Sequence, residues 1–60
     1  MYLVLIEGEV KRSYRVDDVV DFIEDKVAFE VDSTALIQEL RCMEYGETIV
    51  LRDDCKVIRI

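Results

Sequence analysis

The residues of this chain that could do chemistry are a run of carboxylates and two thiols. The carboxylates crowd into residues 17–32, DDVVDFIEDKVAFEVD: Asp17, Asp18, Asp21, Glu24, Asp25, Glu30 and Asp32, against one base, Lys26. Seven acids less one base give this stretch −6, which is the formal net charge of the whole protein. Residues 1–16 sum to +1 (three bases, two acids) and residues 33–60 to −1 (four bases, five acids), so the remainder is balanced. Paired carboxylates can divide acid and base roles between them. Asp17, Asp21, Glu24 and Asp25 are also close enough in sequence to share a hard cation.

Each of these chemistries lacks a part. Carboxylates on an exposed helix face have nothing to raise a pKa, and a Ca²⁺ site usually wraps the ion in a loop with a glycine at its turn. The chain has no His to act as a base near neutral pH. Cys42 and Cys55 have no sequence-local partner to make a thiolate, and their spacing is not that of a zinc site. Gly8 in EGEV and Gly46 in YGET form no phosphate-cradling loop. The expectation is a non-enzymatic protein with no catalytic residue, cofactor or metal. The two cysteines are expected to be reduced thiols in a cytoplasmic protein, since one pair is not a disulfide framework.

Sixty residues make one small acidic domain, residues 1–60. Such a chain buries only about 60% of its unfolded surface, so self-association is an open route to further stability. No apolar run approaches the ~18–20 residues of a membrane span, and MYLVLIEGE lacks the basic start of a signal peptide. A pI near 4.4 argues against direct binding to nucleic acid or to anionic membranes, both of which require clustered Lys and Arg.

The elements that position the acids follow from periodicity. Tyr2–Ile6 (YLVLI) is a continuous apolar run and reads as a strand. Gly8-Glu9 reads as a two-residue type II′ turn into a strand over residues 10–16, with Leu3 opposite Tyr14 and Leu5 opposite Arg12. Asp17 or Asp18 caps a helix on which Val16, Val19, Val20, Ile23 and Val27 form one stripe. Asp17, Asp18, Asp21, Glu24 and Asp25 take the opposite side. Phe22 and Phe29, seven residues apart, make a line between the two. A second helix over residues 34–45 is capped by Asp32, Ser33 or Thr34, carries Leu36, Ile37, Leu40 and Met43 inward, and stops at Gly46. Thr48–Arg52 and residues 55–60 read as a hairpin turning at Asp53-Asp54, with Val50 opposite Val57 and Ile49 opposite Ile58.

The resulting order, β-β-α-α-β-β, predicts a small two-layer α+β domain, an antiparallel sheet with both helices on one face. The expected core is Leu3, Leu5, Val19, Val20, Ile23, Val27, Leu36, Ile37, Leu40, Ile49, Leu51 and Ile58.

Two functional expectations follow. Like charges at i, i+3, i+4 and i+7 repel by a few tenths of a kcal/mol per close pair. A face that served solubility alone could have interleaved lysines. The acidic face is therefore expected to bind a basic protein surface, with Asp17, Asp18, Asp21, Glu24 and Asp25 supplying attraction and Phe22 and Phe29 an apolar anchor. In being short, acidic and without catalytic residues, the chain resembles, as a class, the small phage-encoded inhibitors that act as DNA mimics. That resemblance implies a nucleic-acid-binding protein as partner. The alternative expectation is a homodimeric structural or regulatory protein, formed by pairing of the apolar Tyr2–Ile6 strand at a sheet edge, in which the acids only confer solubility.

Overall fold

A computed structural model describes residues 1–27 and 30–60. The elements are β1 (Tyr2–Ile6), β2 (Glu9–Ser13), α1 (Val16–Lys26), α2 (Ser33–Arg41), β3 (Thr48–Arg52) and β4 (Cys55–Arg59). The four strands form an antiparallel sheet in the order β2-β1-β4-β3. Val19, Val20 and Ile23 of α1 and Leu36 and Leu40 of α2 share one buried cluster with Tyr2, Val4, Ile6, Cys55 and Val57. Both helices thus cover one face of the sheet, and the α+β architecture is the one expected.

The strands are turned over relative to expectation. Tyr2, Val4 and Ile6 face the helices and are buried, while Leu3 and Leu5 lie on the other face, half-buried. Ile58 likewise lies opposite Leu3 on that outer face, and Val57 and Cys55 take the core. A strand apolar at every position carries no period-2 signal to choose between its faces. The Tyr2 hydroxyl helps to decide it, donating to the Leu40 carbonyl at 2.8 Å and tying β1 to the end of α2. Ile37, Ile49, Leu51 and Val27 are at the margin of the core, partly buried against it.

Both hairpins correct their expected registers. The first turns at Glu7-Gly8, one residue earlier than predicted, with φ of 48° and 83°. Two positive φ values are the mark of a type I′ turn, which matches the twist of the flanking strands. Leu3 therefore pairs with Arg12 and Leu5 with Val10. In the second hairpin an irregularity between Val50 and Arg52 slips the pairing by one residue. Ile49 then opposes Val57 on the core face, and Val50 opposes Lys56 on the outer face. A one-residue slip exchanges the two faces of a strand, and here β4 is the strand exchanged: Val57 takes the core in place of Ile58, while Val50 is 65% exposed on the outer face.

β1 is an interior strand, bonded to β2 and β4, and not the edge expected for self-pairing. The edges are β2, which carries Glu9, Lys11 and Arg12, and the irregular β3. Charged and bulged edges resist pairing with another sheet.

Candidate functional site

α1 positions the acidic face. Its cap lies two residues before the nearer of the predicted ones: Arg15 is the N-cap, extended at φ −107° and ψ 127°, with no side-chain cap. Its carbonyl accepts the first helical bond from Val19 N–H at 3.2 Å. Ser13 Oγ accepts from the Arg15 N–H at 3.1 Å and so fixes the entry into the helix. Asp17 and Asp18 fall in the first turn, where carboxylates meet the positive end of the helix dipole. Val19, Val20 and Ile23 anchor the opposite side. Burial of such side chains contributes roughly 1.5–3 kcal/mol each. The helix ends at Lys26, and Val27 turns to extended backbone.

The five expected acids Asp17, Asp18, Asp21, Glu24 and Asp25 are all exposed. Asp17, Asp18, Asp21 and Asp25 have no ion-pair partner among the described residues. Glu24 accepts a hydrogen bond from Ser33 Oγ, which links the row to the start of α2. At 1.5 Å rise per residue the five span about 12 Å of helix axis, one charge per roughly 3 Å. Duplex DNA carries one per about 1.7 Å of axis and each of its strands one per about 3.4 Å. Glu30 and Asp32 lie beyond the row, and Asp32 is occupied as the N-cap of α2, its Oδ1 accepting from Ala35 N–H at 3.2 Å. α2 ends at Arg41, four residues before the predicted stop, and Gly46 (φ 88°) serves the connection to β3 instead.

Phe22 is half-buried and packs against the core margin. Its ring carries two ammonium groups, Lys11 Nζ at 5.3 Å and Lys26 Nζ at 5.8 Å from the centroid. Lys26 also pairs with Glu9 at 3.3 Å, fastening α1 to β2. Phe29 lies outside the described residues. Asp18, Asp21, Phe22, Asp25 and Lys11 line a shallow cleft of about 440 Å³. Lys11 was not expected there. Its register supplies the signal: it opposes Val4, so it points to the helix side of the sheet.

The thiols differ in setting. Cys42 is exposed and Cys55 is buried, and neither is in a disulfide. Burial pushes the Cys55 thiol above its ordinary 9.0, the opposite of what activates a nucleophile. Cys55 borders a cleft of about 290 Å³ with Ile6, Glu7, Val27, Arg52, Asp53 and Asp54. Among the described residues no three metal-ligating side chains gather in one place. No described helix is long and apolar enough to cross a membrane.

The chain matches no protein-family model, and no curated protein or solved structure matches it.

Proposed function

We propose that this protein is a non-enzymatic interaction module of the cytoplasm that uses the acidic face of α1 to engage a basic surface on another protein. The observation that carries the reading is the row itself. Five exposed carboxylates follow one another on one helix face at a linear charge density between those of single-stranded and duplex DNA. A groove built to neutralise phosphates would meet a similar field here, so the favoured partner is a nucleic-acid-binding protein inhibited by DNA mimicry, as phage-encoded inhibitors do. Phe22 and the Lys11 side of the cleft form the rim of the contact.

The test is capture of partners on immobilised protein at two salt concentrations. Nucleic-acid-binding proteins should be recovered at low salt and lost at high salt, and their DNA binding should be blocked by the free protein. The double change Asp21→Lys with Asp25→Lys should abolish both effects. Capture that ignores these substitutions would refute the acidic face as the contact.

A second reading is a homodimer whose acids only confer solubility. One observation favours it: the sheet face opposite the two helices carries five aliphatic side chains, Leu3, Leu5, Val10, Val50 and Ile58.

A further inference from the structure

That outer face has a definite pattern. Alternation along the strands places two rows of side chains on it. One row reads Val10, Leu5, Lys56, Val50 across β2, β1, β4 and β3. The next reads Arg12, Leu3, Ile58, Thr48. Five of the eight are aliphatic, and the outermost two, Val10 and Val50, are 57% and 65% exposed. The charges in these rows are cationic, in a chain of net charge −6.

We infer that this face stacks on the same face of a second copy, about a two-fold axis that runs parallel to the strands between β1 and β4. The inference rests on the homodimer reading above and gives it a surface and a symmetry. The operation lays β2 over β3 and β1 over β4. Val10 then meets Val50 and Leu3 meets Ile58. Arg12 meets Thr48, and the Lys56 stem lies on Leu5 with its ammonium free to reach the carboxylate of Glu7 at the turn of the second copy. Aliphatic groups meet aliphatic groups, and no cation meets a cation. A two-fold interface must be self-complementary in this way.

The net charge does not oppose the arrangement. Stacked sheets lie ~10 Å apart, and each helix layer is roughly 10 Å further out. The two acidic rows would then be ~30 Å or more apart on opposite outer surfaces, several times the ~8 Å Debye length at physiological salt. The footprint sets the strength. Four strands at ~4.8 Å and five residues at ~3.3 Å give about 320 Å² in projection, short of the ~800 Å² per partner of a standard stable interface. The dimer is accordingly weak and reversible.

Sedimentation equilibrium from micromolar to near-millimolar protein tests it. The weight-average mass should rise from 7.0 kDa toward about 14 kDa, twice the chain mass. Val10→Glu and Val50→Lys alter exposed positions, so each variant should keep its far-ultraviolet circular dichroism. Each alone should weaken association at least tenfold. The double variant should restore it, because residue 10 of one copy faces residue 50 of the other, whereas within one chain they sit three strand spacings, ~14 Å, apart. A monomer at every concentration overturns both this inference and the homodimer reading. A dimer indifferent to either single variant overturns the face but leaves the homodimer. Disruption without rescue in the double variant overturns the two-fold arrangement.

Discussion

Asp21 is the centre of the acidic row, and replacing it with asparagine isolates the electrostatic consequence of that row. Its helix neighbours at i−4, i−3, i+3 and i+4 are Asp17, Asp18, Glu24 and Asp25, all acidic. A like-charge pair at these spacings is destabilising by about 0.2–0.5 kcal/mol. Four such pairs sum to roughly 0.8–2 kcal/mol at low ionic strength. Lys11, which lines the same cleft, attracts Asp21 and offsets part of this. The amide is nearly isosteric and of similar helix propensity, so charge is the variable changed. The net expectation is a gain of about 0.7 kcal/mol, which for a domain of this size raises Tm by roughly 3–6 °C. The assay is a pair of thermal melts followed by circular dichroism, at 0.01 M and at 1 M salt. The Debye length falls from ~30 Å to ~3 Å between them, so the gain should shrink to within error at high salt. A Tm that is unchanged or lower at low salt would refute the claim that the row is held against stability. So would an equal rise at both salts, because the gain would then not be electrostatic.

Four further outcomes follow from the structure. Glu7 occupies φ 48° beside Gly8 at 83°, and type I′ turns favour Asn-Gly there. Glu7→Asn should therefore stabilise the domain by about 0.5 kcal/mol in urea titration, a left-handed residue being costly for a side chain other than Asn, Asp or Gly. Asp32→Ala removes the cap on Ala35 N–H and should destabilise by about 1 kcal/mol on the same titration. At the thiols, iodoacetamide on native protein should label Cys42 and spare Cys55 until the chain is unfolded. Because burial raises the Cys55 thiol above 9.0, the folded form favours its neutral state. Its contribution is complete below pH 9 and is lost as the pH rises through the higher folded value. Melting temperature should decline above pH 9, with a shallower decline in Cys55→Ala.

The parts of this fold that were legible in the sequence are those with a strong local period. The α1 stripe of Val19, Val20 and Ile23 and the α2 pair Leu36 and Leu40 are buried as their spacing predicts. Asp32, one of three predicted caps, is the one used. The strands were legible as elements but not in their faces. Tyr2–Ile6 is apolar throughout, and nothing local says that Tyr2 will reach Leu40, 38 residues away. The hairpin registers depended on single residues. Glu7 tolerates a positive φ that its type disfavours, which moves the first turn, and an irregularity between Val50 and Arg52 sets Ile49 opposite Val57, so that Val57 and not Ile58 takes the core. In the candidate site, the exposure of the five acids was legible from the helix period. The place of Lys11 was not, because it depends on which face of β2 meets the helices.

The two proposed surfaces lie on opposite layers, and this constrains how they could act together. In a sheet-to-sheet dimer each acidic row points away from the axis, with two sheets and two helix layers between them. Separation of ~30 Å or more, facing outward, prevents both rows from entering one groove on one partner. Dimerisation would then add no avidity toward a single binding site, since a second site helps only where geometry permits simultaneous engagement. The expected stoichiometry is one partner per chain, with the affinity of each site equal in the wild type and in the monomeric Val50→Lys variant. Calorimetric titration with a captured partner measures both quantities. A ratio of one partner per two chains, or affinity lost together with the dimer, would place the binding surface across the interface and count against the acidic row of a single α1 as the unit of recognition.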